Sequence, residues 1–175
     1  MDELTGIMKV SADWSRDELT SGVILWFIGY AYMLSAVGFM VFGITPLTKA
    51  IYVPLLIAGG ILFIAGSGFC FTNLSRVKNL LNNYNQNTSK FVNSELERTE
   101  STIRTYENVA LKIFPIIILL AILTCVFIST PIVRAICIVV IAFFLALVFI
   151  DSLALKRIKR YRDQLKLEAE KHKNW

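Results

Sequence analysis

With 175 residues the chain has the length of a single domain, and it carries a formal net charge of +5. Hydrophobic residues make up 55% and charged residues 18%, against about 45–50% and 25% in an ordinary soluble domain, and mean hydropathy is +0.60. Charge is missing altogether from 19–48, 50–75, 113–133 and 135–150. That excludes a water-soluble bundle, because a soluble helix needs a polar face and neither 116–120 nor 136–141 has one.

In chain order, the first signal is a helix start. Ser15 with Glu18 three residues on fits a capping box, and Trp14 with Leu19 fits a hydrophobic staple. An indole at Trp14 suits the headgroup level of a membrane. A cleaved signal peptide is excluded, since the apolar run begins only after residue 20 and acidic residues precede it. About 20 apolar residues cross a ~30 Å hydrocarbon core, which predicts spans at 23–42, 51–71, 113–128 and 132–154. The fold class is therefore all-α and polytopic, one membrane domain with four transmembrane helices in two hairpins. The first span shows Ala31, Ser35 and Gly38 on one small face, and the second shows Gly59 and Gly66, with Gly60 and Gly68 beside them. Such faces let helices approach closely, within the chain or between copies. Pro54 and Pro115 fall in the first turns of their predicted spans, where proline costs least.

Between the hairpins, 72–112 reads as a helical hairpin with a turn near 82–89. Apolar stripes run through Phe71, Leu74, Val77, Leu81 and Tyr84, then through Val92, Leu96, Ile103, Tyr106 and Ala110. A third stripe, Ala154, Ile158, Tyr161 and Leu165, lies on the basic amphipathic tail, 156–175. The expectation is that these arms pack into an intramolecular three-helix stalk; the alternative is that Ile158, Tyr161 and Leu165 form a face for a partner. Lys and Arg set the orientation. The segment 72–112 holds six and the tail eight, whereas the short hairpin turns carry only Lys49 and Arg134. Both termini and the middle segment are thus expected in the cytoplasm. Cys70, Cys125 and Cys137 lie within spans and read as small packing residues.

Little in the chain suggests chemistry. The sole histidine is His172, and no phosphate-binding glycine loop, nucleophile elbow or zinc-protease motif occurs, so neither an enzyme nor a cofactor or metal site is expected. Asp151 is the one ionisable residue near the membrane interior. It is expected either to pair with Lys112 or Arg76 or to stand as a hydrated interfacial carboxylate. Lys156, Arg157, Lys159, Arg160 and Arg162 follow the last span and suit anionic headgroups, at roughly 1 kcal/mol per charge, better than nucleic acid.

The C-terminal half resembles an uncharacterised family of small bacterial four-span inner-membrane proteins. The residues that carry the likeness are Glu97-Arg98, Tyr106-Glu107 and the run from Asp151 through Ala154, Arg157 and Tyr161 to Leu165. The family's glycine-rich outer hairpin is replaced here by Thr130-Pro131. The resemblance implies a bacterial inner membrane and no particular activity. The expected function is that of an accessory, regulatory or immunity-type protein that binds a protein partner. A homo-oligomeric channel or small transporter, lined by Ser35, Ser67 or Thr124, is the alternative.

Overall fold

The computed structural model describes the backbone of residues 2–86 and 88–173, and the side chains of 10–11, 13–75, 92–167 and 170. It contains five α-helices: α1 Asp2–Phe42, α2 Pro46–Gln86, α3 Thr88–Thr105, α4 Phe114–Phe127 and α5 Pro131–Lys173. A π-helical stretch, Tyr106–Ile113, joins α3 to α4 without a break. Four of the continuous helical runs are long and apolar enough to cross a membrane.

The short connections have clear local causes. Gly43 ends α1 where a Cβ would lie 2.3 Å from the Phe39 carbonyl oxygen. Thr45 and Thr48 then cap α2 reciprocally, their backbone N–H groups donating to each other's hydroxyls at 3.0 and 3.2 Å respectively, with Pro46 as the first helical residue. At the other connection Ile128 closes α4 on the Thr124 carbonyl, Arg134 Nε donates to the Ile128 carbonyl, and Pro131 opens α5.

Two expectations about helix ends are corrected. The capping box at Ser15 is not formed: α1 already runs from Asp2, and the Ser15 hydroxyl donates back to the Ser11 carbonyl, one turn earlier. Pro54 lies inside α2 rather than in its first turn, because α2 begins at Pro46. Pro115 does stand at the start of α4. It has no N–H for the preceding turn, and the chain there has widened so that Phe114 N–H reaches the Val109 carbonyl, five residues back.

α5 is the central element, flanked by α1, α2, α3 and α4, whereas among the described residues α4 packs only against α5 and the π-helical stretch that precedes it. Between apolar helices in lipid, contact rests on dispersion and close approach. α1 and α2 achieve this with glycines: a Cβ on Gly29 would lie 2.8 Å from the Gly59 carbonyl oxygen, and one on Gly66 would lie 2.8 Å from the Gly22 carbonyl oxygen. The two helices therefore run antiparallel with Gly22 opposite Gly66 and Gly29 opposite Gly59. Ala36, one heptad beyond Gly29, continues the seam into a small core with Leu55, Ala58 and Val139.

The polar end of the molecule has its own core, made by Trp14 of α1, Val92 and Ile103 of α3, and Leu155, Ile158, Tyr161 and Leu165 of α5. Burying each Ile or Leu side chain here stabilises by about 1.5–3 kcal/mol. Among the described residues the N-terminal arm of α1 joins α3 and α5 in this core, a contribution the sequence stripes do not include, while Phe71 and Leu74 of the α2 stripe are exposed. The rest of that stripe, Val77, Leu81 and Tyr84, lies outside the described side chains.

Candidate functional site

Where the arms converge, a chain of polar contacts ties α1, α3 and α5 together. Ser11 and Tyr161 share a hydrogen bond of 2.9 Å, and the Tyr161 hydroxyl donates to Glu95 Oε2 at 3.1 Å. Glu95 in turn receives Arg98 through Nε at 3.2 Å and Nη2 at 2.5 Å. Arg98 lies over the indole of Trp14 at 4.7 Å, and Tyr161 stacks on Trp14 with ring centroids 4.8 Å apart. The indole thus has a phenol against it and a guanidinium over it, which accounts for its burial. Burial, and then the Glu95 charge, hold the Tyr161 phenol above its ordinary range, so it stays a neutral donor.

A second polar group sits one to two turns nearer the apolar region. Glu18 and Asn73 are only 4% and 3% exposed, and Ser21 receives the Arg157 guanidinium. Glu18, Asn73, Trp14, Arg98, Thr102 and Tyr106 line a half-open cavity of about 350 Å³ between α1, α2 and α3, with Gly68, Phe69 and Thr72 completing its α2 wall. A different cleft, about 440 Å³, runs between α2 and α5 within the apolar region. Its walls are Val53, Pro54, Ile57, Ala58, Val139 and Phe143 among other purely apolar residues.

The residues singled out from the sequence fall into place unevenly. Asp151 and Lys112 form no ion pair; Lys112 is exposed and donates to Asn108 at 2.9 Å. The Lys112 amine instead bonds within its own helical stretch. Asp151, half-buried, lies close enough to Tyr106 to act on its phenol. The Arg76 side chain is outside the described residues. On α2, Gly59 and Gly66 sit in the helix seam, but on α1 their partners are Gly29 and Gly22, not Ala31, Ser35 and Gly38. Ala31 and Ser35 are exposed and nothing lies within 4 Å of a Cβ on Gly38. The overlooked signal is a seven-residue repeat of small residues, Gly22, Gly29 and Ala36, matching Gly59 and Gly66 on α2.

The basic cluster divides as well. Arg157 turns inward to Ser21, Lys159 pairs with Glu107 at 2.6 Å, and Arg162 pairs with Asp163 at 2.8 Å, while Lys156 and Arg160 are exposed. Ile158, Tyr161 and Leu165 are at most 2% exposed, so the tail's apolar stripe is covered by the chain's own α1 and α3 and presents no docking surface. Within the apolar region the hydroxyls of Ser35, Ser67 and Thr124 each donate to the carbonyl four residues back. Among the described residues no three His, Cys, Asp or Glu side chains come together as a metal site would need.

These features define an all-helical chain with four helices of membrane-crossing length and a polar helical core at one end. No family model, curated protein or solved structure matches it.

Proposed function

We propose that the chain is a four-span protein of a bacterial inner membrane, arranged as two transmembrane hairpins with both ends and the middle segment in the cytoplasm. In this reading it is a non-enzymatic accessory, regulatory or immunity-type protein, and it works by binding a membrane-embedded protein. The observation that carries the proposal is the apolar cleft between α2 and α5, beside an α4 whose neighbours among the described residues are α5 and the π-helical stretch. A cleft walled by Pro54, Ile57, Ala58, Val139 and Phe143 offers shape without polar groups, which suits the side chains of a partner helix. The excess of Lys and Arg in 72–112 and in the tail supports the orientation, and the likeness of the C-terminal half to small bacterial membrane proteins supports the location. Exposed Lys156 and Arg160 are the members of the basic cluster best placed for anionic headgroups. Nucleic acid plays no part in this reading.

A photoreactive residue at Ile57, introduced into the full chain in its native membranes, tests it. The expected result is a discrete protein adduct that disappears when Ala58→Phe fills the cleft; adducts with lipid alone refute the reading. The second reading, a homo-oligomeric channel, is favoured by the open small face Ala31, Ser35 and Gly38, which permits close approach of another copy. Against it, the hydroxyls needed to line a pore are spent on their own helices. Ion flux through liposomes containing the pure chain, with an adduct of twice the chain mass, decides for the channel.

A further inference from the structure

A different pocket at the polar end, between α1 and α5, carries charges of both signs that do not meet. It is a half-open space of about 200 Å³. Asp13 and Asp17, one turn apart on α1, form one wall, and Arg157, Arg160 and Gln164 of α5 form the other. The stacked, buried rings of Trp14 and Tyr161 complete the lining with Val10. Asp13, Asp17, Arg160 and Gln164 are exposed, and among the described residues none of the four makes an ion pair or a side-chain hydrogen bond. Arg157 gives Nη2 to Ser21 and its Nε is enclosed without a partner, which leaves Nη1 uncommitted among the described residues.

Two hydrogen bonds set the walls against each other. Arg157 meets Ser21 and Tyr161 meets Ser11, so α1 and α5 run antiparallel here. Arg157 follows the apolar stretch of α5 and lies at the end of the pocket nearest the charge-free segments, and Asp13 is the outer of the two acids. A simple anion in this space meets two carboxylates, and a simple cation meets two guanidiniums. A ligand with both charges satisfies each wall. We propose that the pocket binds a phosphoethanolamine zwitterion, its phosphate on Arg157 and Arg160 and its ammonium on Asp13 and Asp17. The order, with Arg157 at the apolar end and Asp13 further out, is the order in which an aminophospholipid entering from a bilayer presents its phosphate and its amine. The headgroup of phosphatidylethanolamine and free phosphoethanolamine share this chemistry. The inference rests on the reading that the chain spans a bilayer, and is independent of the α2–α5 cleft and of any protein partner.

The test uses the full chain in nanodiscs. Recovery in the discs is scored first; a chain that does not enter them refutes the bilayer reading and the inference with it. In mixed discs, mass spectrometry of the intact complex compares retention of three lipids. They are phosphatidylethanolamine, phosphatidylglycerol, which lacks the amine, and phosphatidylcholine, whose quaternary nitrogen has no N–H. In phosphatidylglycerol discs free phosphoethanolamine is titrated by calorimetry. Selective retention of phosphatidylethanolamine assigns the headgroup, and saturable binding of phosphoethanolamine assigns the soluble compound; either supports the proposal. Arg160→Gln is expected to weaken binding roughly fivefold, and Asp13→Asn/Asp17→Asn by more, with the lipid preference turning to phosphatidylglycerol. All three side chains are exposed, so these variants remove no buried contact. No preference for phosphatidylethanolamine together with no phosphoethanolamine binding, or a variant that binds as wild type does, overturns the proposal.

Discussion

Replacing Gly29 by alanine tests the α1–α2 seam most directly. A Cβ there lies 2.5 Å from the Phe63 amide nitrogen and 2.8 Å from the Gly59 carbonyl oxygen. Both are backbone atoms, so no side-chain rotation relieves the overlap. Non-bonded carbon contacts are comfortable from about 3.5 Å, so the helices must part by roughly 1 Å and lose dispersion along the seam. Overpacking of this kind costs about 1–3 kcal/mol, and the better helix propensity of alanine offsets about 1 kcal/mol of it. The expected net effect is a destabilisation of up to about 2 kcal/mol. Gly60→Ala is the control: nothing lies within 4 Å of its Cβ, so only the propensity gain of up to about 1 kcal/mol remains. Unfolding by SDS titration in mild detergent, followed through Trp26, reads both, because Trp26 packs on Phe63 at 5.1 Å across this seam. The argument fails if Gly29→Ala is as stable as Gly60→Ala. A Gly29→Ala/Gly59→Ala double variant should also be non-additive, since the two sites face one another.

Further outcomes follow from the polar end. Tyr161→Phe keeps the stacking on Trp14 but loses the bonds to Ser11 and Glu95, and is expected to cost about 0.5–1.5 kcal/mol per bond in the same unfolding assay. The Tyr161 phenol is held above its unfolded value of 10.0, so its contribution is complete below about pH 10 and falls as pH rises towards the folded pKa. Wild type should lose stability more steeply than Tyr161→Phe in a titration above pH 10; equal slopes would show the phenol to be unburied. Because Lys112 bonds Asn108 and does not meet Asp151, a Lys112→Met and Asp151→Asn double-mutant cycle should give no coupling, and a coupling above about 0.5 kcal/mol would restore the ion pair. Neutralising Glu107 or Glu100, exposed partners of Lys159 and Lys166, should leave the unfolding midpoint in place at physiological salt.

The four long apolar runs were legible because a charge-free stretch has only one solution in water and lipid. Helix ends were less so. Ser15-x-x-Glu18 has the form of a cap, yet in the fold Ser11, Ser15, Glu18 and Ser21 are all buried on α1, and a cap is unnecessary inside a helix that continues in both directions. The clue was the spacing of these small residues, which runs on into Gly22 and Gly29. The partner of a stripe was not legible either. Periodicity gives the face of a helix, not what covers it, so the tail's Ile158, Tyr161 and Leu165 read equally well as a docking strip. Only the three-dimensional meeting of Trp14 with Tyr161, 147 positions apart in the chain, closes that question in favour of the chain itself.

The polar cavity between α1, α2 and α3 illustrates why such a grouping escapes a motif search. Glu18, Asn73, Thr102 and Tyr106 come from α1, α2, α3 and the π-helical stretch, and only Thr102 and Tyr106 are close enough in sequence to share a helical spacing. The π-helical stretch starts at Tyr106 itself. A helix that widens to i→i+5 bonding turns fewer degrees per residue, so residues after Tyr106 take a different face from the one an unbroken α-helix would give them. Tyr106 keeps the register of α3 and bonds Glu18 within the polar wall, while Lys112, six residues on, points away to Asn108.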